Sequence, residues 1–432
     1  MVSSFINQLC LNFFSRALNV LASLLLTFVV TIELGVDGFG RFIFLYTLVL
    51  GIGTFSRFGL SLGLVRWGGF FYGKGNFEKL SETFVEVGLF IFYTALLMTL
   101  VVYFVVLGFF EDFNNNELKL MLLTAPFHSF VFCFGAYFKV IGKAHVSPIF
   151  ENAGIVLMTL VFFYVLSYFP VLSGFSKLDF LTLSFLISTL LFFVISIRQG
   201  AAIFKLKASS SFFRVSFFKS YQWKEGMVDY AISDNINYFV QYGIVLVIGF
   251  ILSDFEVGVF SIILRIALVL SFFVLVFNTL LDPKFSILFS KGDFNKIKSF
   301  ANLSMLLMCL ISAILVPFML LFSDALLIFF SSDLIEYRNC FYFLLFGQVV
   351  NLVTGPTGPL LNMTGNQNKM RDNVLISSLI LSILIIPLTL EFSLLGACLS
   401  IAISLSLRNA LSYLCVRKCL GFYLVPTYTK VD

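Results

Sequence analysis

Apolar runs recur along this chain at a length that leaves little choice of environment. Twelve of them fall at roughly 10–34, 42–65, 84–108, 118–138, 148–169, 179–197, 226–252, 257–282, 300–322, 339–362, 374–390 and 394–415. Each is close to or above the length of about 18 residues that marks a membrane-spanning helix. Composition says the same of the whole molecule. Only 12% of the 432 residues are charged, where a water-soluble domain carries about 25% to solvate its surface. That excludes a soluble enzyme, and hydrophobicity this high excludes disorder. The expected fold is an all-α polytopic membrane protein with twelve transmembrane helices.

Loop charges give an expected orientation. Twenty of the 28 Lys and Arg residues fall on the side that carries both chain ends. Four (Arg41, Lys119, Lys177 and Arg338) fall opposite, and four lie inside spans. The excess marks the cytoplasmic face, so both termini are expected in the cytoplasm. No Lys or Arg precedes Arg16, so the first run is expected to lack the basic region of a cleaved leader.

The chain also repeats itself. Lys74-Gly75-Asn76-Phe77-Glu78-Lys79-Leu80 follows the second run, and Lys291-Gly292-Asp293-Phe294-Asn295-Lys296-Ile297 follows the eighth, 217 positions later. Gly40-Arg41-Phe42 and Gly258-Val259-Phe260 match at nearly the same offset. Six spans per repeat is an even number, so the halves share one orientation, the parallel-repeat plan of many secondary transporters. The expected domains are an N-terminal six-helix bundle (1–197), a basic cytoplasmic linker (198–225) and a C-terminal six-helix bundle (226–432).

Several chemistries lack their residues. No glycine-rich P-loop ending in Lys-Ser or Lys-Thr occurs, so no ATP site of that kind is expected. No nucleophile elbow, Asp-x-Asp pair or long outer loop offers a catalytic centre, and the expectation is a transporter without a cofactor. His128 and His145 are the two histidines, too few for a histidine-rich metal site, and no metal is expected. The seven cysteines sit mostly in apolar runs and read as reduced, buried small hydrophobes. Basic residues are dispersed rather than gathered into the stripe that nucleic acid requires. The 58 phenylalanines read first as the bias of an AT-rich gene.

Function must then reside in polar residues at membrane depth, where each charge costs about 2.5–3.5 kcal/mol on insertion scales and faces a cavity or a partner. Arg16, Arg57, Arg265 and Arg408 qualify. Arg16 shares a helical stripe with Asn12, Asn19, Ser23, Thr27 and Thr31; Arg57 lies between Thr54 and Ser61. The seventh run carries Asp229, Ser233, Asn237 and Gln241 at steps of four, with Asp234 beside them. Four arginines against two or three acids describe a net basic cavity suited to an anion. Asp234 and Asp229 are the candidate ion-coupling residues. Snorkelling of Arg16 and structural ion pairing are the competing readings. Pro126 and the segment Gly355-Pro356-Thr357-Gly358-Pro359 interrupt corresponding runs of the two halves and are hinge candidates. His128 is expected to make a helix–helix hydrogen bond.

Leu34-Gly35-Val36-Asp37-Gly38-Phe39-Gly40-Arg41-Phe42 resembles the LGxxxFGxF signature of the polysaccharide transporter branch of the MOP exporter superfamily. Val257-Gly258-Val259-Phe260 through Arg265, Pro283-Lys284-Phe285-Ser286, Gly358 through Leu361 and Thr364-Gly365 resemble it too, in order along the whole chain. The nearest likeness is to the O-antigen flippase family. That resemblance implies a MATE-like pair of bundles and translocation of undecaprenyl-pyrophosphate-linked oligosaccharide across a Gram-negative inner membrane, by alternating access through a basic cavity. It also implies contact with a polysaccharide polymerase and a chain-length regulator. A cation/drug antiporter of the same fold and a membrane polymerase or ligase are the alternatives. Ile263 departs from the family, which often has a small residue there, and loose packing of the eighth span is the expectation.

Overall fold

The computed structural model describes residues 2–109, 115–168, 176–204 and 227–427, and among them there is no strand. The first helices are α1 (Val2–Arg57), α2 (Leu60–Gly73), α3 (Phe77–Phe109), α4 (Asn116–Val140), α5 (Gly154–Ser167), α6 (Lys177–Phe204) and α7 (Met227–Tyr238). They are followed by α8 (Ile244–Ile251), α9 (Asp254–Ala267), α10 (Val269–Ser290), α11 (Phe294–Leu321), α12 (Ser323–Ile328), α13 (Arg338–Val353), α14 (Thr357–Met363) and α15 (Gln367–Leu420). Most of the 198–225 segment lies outside the described residues.

Among the described residues seven helical stretches are singly long and apolar enough to cross a membrane, and two bent pairs raise the number to nine. Two of the seven are too long for one crossing. Leu11–Arg57 and Gln367–Leu420, of 47 and 54 residues, would extend about 70 and 80 Å at 1.5 Å per residue, against a hydrocarbon core of about 30 Å. The first leaves helical geometry at Gly35 (φ 76, ψ 178), where the 10–34 run ends. The second breaks at Phe392 and Ser393. There the chain doubles back so closely that a β-carbon on Gly396 would stand 1.8 Å from the Leu388 carbonyl oxygen. In straight helix those residues would be about 12 Å apart. With α7 and α8 joined through a π-helical turn at Phe239–Gly243, each of the twelve apolar runs is built mainly of helix over its described residues. The protein is an all-α polytopic membrane protein.

Two runs that read as single helices are broken. The second run is interrupted at Phe58 and Gly59, which both have positive φ (49° and 73°), so Ser61 lies beyond the helix that carries Arg57. The eighth bends by 46° between α9 and α10. Hydropathy is summed over a window and does not register the φ of one residue. Ile263, expected to loosen the eighth span, is 0% exposed and fully packed.

The repeated motif builds one turn twice. After α2, the amides of Gly75, Asn76 and Phe77 donate to the carbonyls of Tyr72 (3.0 Å), Phe71 (3.0 Å) and Gly75 (3.1 Å). After α10, the amides of Gly292, Asp293 and Phe294 donate to Phe289 (3.0 Å), Leu288 (3.0 Å) and Gly292 (3.1 Å). Each turn is a Schellman C-cap, with its glycine at φ 68° or 71°. Each leads directly into the next N-cap, where Asn76 Oδ1 and Asp293 Oδ1 accept from the amides of Lys79 and Lys296 at 3.1 and 3.2 Å.

The chain forms two compact units, Met1–Leu246 and Val247–Asp432. In the first, α4 is the central helix: 72% of its apolar window is buried, against 28% for α1 and α3, and it packs on α1, α2, α3 and α6. Many phenylalanines are core here, with ring centroids 5.4–5.5 Å apart along Phe84, Phe134, Phe150 and Phe192. In the second, α13 packs along α15. Leu281, Phe285, Ile297, Leu360 and Leu361 gather α10, α11 and α14 into a core that also takes Phe422 and Leu424 from the tail. Cys133, Cys340 and Cys398 are buried and unbridged.

Candidate functional site

Arg57, the last residue of α1, is 5% exposed. Its Nη2 donates to Thr54 Oγ1 at 2.8 Å, one turn back, and its Cζ stands 4.0 Å from the centre of the Phe132 ring on α4. Nε and Nη1 are buried without a hydrogen-bond partner. The bare backbone of Gly53 makes room: a β-carbon there would lie 2.9 Å from Ser129 Oγ and 3.0 Å from Arg57 Nη1. A buried charged donor left unbonded costs more than the 1–3 kcal/mol of a neutral one. A permanently charged guanidinium with two unbonded nitrogens can receive an anion.

Helix α7 is docked beside it. Tyr238 reaches α1, where its hydroxyl donates to the Thr47 carbonyl at 2.8 Å. Gly51 clears the space, since a β-carbon there would be 2.6 Å from that hydroxyl oxygen. Asp234, one turn before Tyr238, is half-buried. It and Glu151 are the carboxylates whose charge reaches Arg57. Glu151, on the π-helical turn Ile149–Ala153, is already engaged by Lys139 Nζ at 2.6 Å and Ser147 Oγ at 2.7 Å. Asp234 forms no ion pair or hydrogen bond among the described residues. Arg57 and Asp234 are therefore opposite charges in one unit that form no ion pair with each other among the described residues.

The same unit carries an uncharged network. Tyr46 donates to Asn152 Oδ1 at 3.0 Å, and Asn152 Nδ2 donates to Asn19 Oδ1 at 2.8 Å, linking three spans. On α1 the residues Asn12, Arg16, Asn19 and Ser23 are half-buried, whereas Thr27 and Thr31 further along the stripe are buried. His128 corrects its expectation. Its ring is 1% exposed and lies 6.0 Å from that of Phe185. Nδ1 has no hydrogen-bond partner among the described residues, so no helix–helix bond runs through that nitrogen.

In the second unit, Arg265 is half-buried in the last turn of α9, and Arg408 on α15 has a buried Nε without a partner. The Gly355-Pro356-Thr357-Gly358-Pro359 segment is where α13 and α14 bend by 47°; Gly355 has φ +74° and abuts Met305. Pro126 is buried within α4, which stays helical from Asn116 to Val140. Asp229 and Asn237 sit on α7, with side chains outside the described residues. Tyr46, Asn152 and Ser129 were not legible in the sequence as parts of these clusters. Gly51 and Gly53, two glycines in one helical run, were the available signal of a close approach.

No family model matches the chain, and no curated protein matches it. Solved structures do. A multidrug resistance MATE family transporter of the MOP superfamily, in an inward-facing conformation, aligns with a TM-score of 0.61 at 12% identity, over 93% of this chain and 94% of its own. A MOP superfamily transporter from Pyrococcus furiosus, described by a binding pocket of reverse polarity, aligns with a TM-score of 0.61 at 12% identity over 96% and 94%. The lipid II flippase MurJ, in an inward closed conformation, aligns with a TM-score of 0.61 at 15% identity over 95% and 87%. What this chain shares with all three is the fold, the polytopic helical architecture of MOP superfamily transporters.

Proposed function

We propose that this protein is a flippase that moves a prenyl-pyrophosphate-linked oligosaccharide from the inner to the outer leaflet of a Gram-negative inner membrane by alternating access. The observation that carries the reading is Arg57, a buried guanidinium with two unbonded nitrogens beside an aromatic ring. Pyrophosphate is the part of such a lipid that membrane depth penalises most, and an arginine suits phosphate through its planar fork. The prenyl tail stays in lipid and needs no path. The fold shared with a lipid II flippase supports the reading, as does the resemblance of Leu34 through Phe42 to the polysaccharide branch. Arg16 extends the anion path within the first unit; Arg265 and Arg408 are the candidate anion contacts of the second unit, and Gly355 through Pro359 is the candidate hinge of that unit. Asp234 supplies the coupling: protonation or cation binding there changes the field at Arg57 and biases one facing state.

A drug antiporter is the second reading, favoured by the unpaired Asp234 and by the multidrug transporters of like fold. Deletion of the gene separates the two. The flippase reading expects loss of long-chain surface polysaccharide, rescued by the intact gene and not by Arg57→Ala. Intact polysaccharide with new drug sensitivity would establish the antiporter instead.

A further inference from the structure

The network on spans one, two and five is itself uncharged, and it does not use all of its donors. Tyr46 gives its proton to Asn152 Oδ1, and Asn152 gives one N–H to Asn19 Oδ1. This direction fixes both amides and leaves the Asn19 Nδ2 group and one Asn152 N–H uncommitted by the network. The three side chains are half-buried rather than sealed.

They also do not face lipid. On α1 the residues Leu11, Phe14, Leu18, Leu21 and Leu25 are exposed, and they recur every three or four positions along one side of the helix. Asn12, Arg16, Asn19 and Ser23 recur at the same steps on the other side. Two faces of opposite character, one apolar and one polar, put Asn19 on the wet side. The Tyr46 ring is held rigid, stacked on Phe42 at 6.2 Å and edge-on to Phe185 at 5.5 Å. Asn152 is fixed from the other direction. It sits on the π-helical turn Ile149–Ala153, whose Glu151 is tied to Lys139 and Ser147. Glu151 is thus turned to other partners, and the three side chains joined by these two bonds are all uncharged.

We propose that Asn19, Asn152 and Tyr46 form a subsite for uncharged sugar, taking a hydroxyl or an acetamido carbonyl of the glycan on the Asn19 and Asn152 amide donors. The chemistry follows from the groups. Fixed neutral amides beside a rigid phenol match hydroxyl and acyl oxygens, whereas a phosphate or a carboxylate is better held by a cation. The inference rests on the flippase reading, since it gives the oligosaccharide a place apart from the pyrophosphate at Arg57.

The test measures affinity of the full-length protein in nanodiscs for two probes: undecaprenyl pyrophosphate without sugar, and the same lipid carrying N-acetylglucosamine. Wild type is expected to bind the glycosylated probe about tenfold more tightly. Asn19→Ala, Asn152→Ala and Tyr46→Phe, each with an unchanged melting temperature, are expected to lose that preference and keep the affinity for the bare lipid. If the variants keep the preference, or weaken both probes equally, the network is helix–helix glue and the proposal is overturned. Equal wild-type affinity for both probes overturns the sugar subsite and leaves the Arg57 reading standing. Binding of neither probe overturns both.

Discussion

The turn after α2 and the turn after α10 are built alike to within 0.1 Å in their backbone hydrogen bonds, yet the interiors of the two units have little in common. Each turn joins two spans through a left-handed glycine and an Asn or Asp N-cap. Even the flanking ring pairs agree, with Tyr72–Phe77 at 5.8 Å and Phe289–Phe294 at 5.9 Å. Inside the first unit are Arg57 with two unbonded nitrogens, Asp234 with no ion pair or hydrogen bond among the described residues, and the Tyr238 anchor. Inside the second, Arg408 also keeps a buried Nε without a partner, while Ser404 and Asn409 near it spend their hydrogen bonds on the backbone carbonyls of Ser377 and Leu405. A turn has one geometric task, and duplicated halves keep solving it the same way. Interior polar groups carry no such shared geometric task, and they differ between the units.

The comparison can be broken first at the hairpins. Gly396→Val should yield no folded protein, because a β-carbon there overlaps the Leu388 carbonyl oxygen. Gly35→Ala in the other unit meets open space and should cost about 1–3 kcal/mol, because φ 76°, ψ 178° is a backbone region held almost only by glycine. Size-exclusion profiles in detergent read both. Next is the anchor peculiar to the first unit. Tyr238→Ala should destabilise by about 3–5 kcal/mol, as large aromatic truncations do, while Tyr238→Phe loses one hydrogen bond of about 1 kcal/mol. Thermal melts of the two variants should differ accordingly.

The turns give the smaller effects. Gly75→Ala and Gly292→Ala should each cost about 1 kcal/mol and agree with each other within about 0.5 kcal/mol, the usual limit of additivity. Asn76→Ala and Asp293→Ala should be smallest, near the low end of the 0.5–2 kcal/mol range for lost N-caps. Asp293 should cost more of the two, because its charge also favours the helix N-terminus. Unequal melting shifts for the glycine pair would show that the matched turns are no longer matched energetically.

The spans, the duplicated turn and the break at Gly355-Pro356 were legible in the residues because each has a local cause. Spans come from apolar length, the turn from a short motif, and the break from proline and glycine side by side. The break at Phe58 was not legible, since phenylalanine carries no signal for positive φ and only Gly59 marks the place. Nor was the Tyr238–Thr47 contact, which joins residues 191 apart. Polarity at membrane depth singled out Arg57 and Asp234. What it could not give was their environment: which nitrogens stay unbonded, and that Glu151 is held by Lys139 while Asp234 is not.

Whether Arg57 receives the pyrophosphate of a lipid-linked oligosaccharide can be measured in a purified system. Proteoliposomes loaded with that glycolipid, with outer-leaflet arrival followed by a membrane-impermeant glycosidase, measure it directly. The account predicts flipping by the wild type, loss of at least tenfold in rate for Arg57→Ala, and partial recovery for Arg57→Lys, which keeps the charge and loses the fork. Flipping by correctly folded Arg57→Ala at the wild-type rate would contradict it.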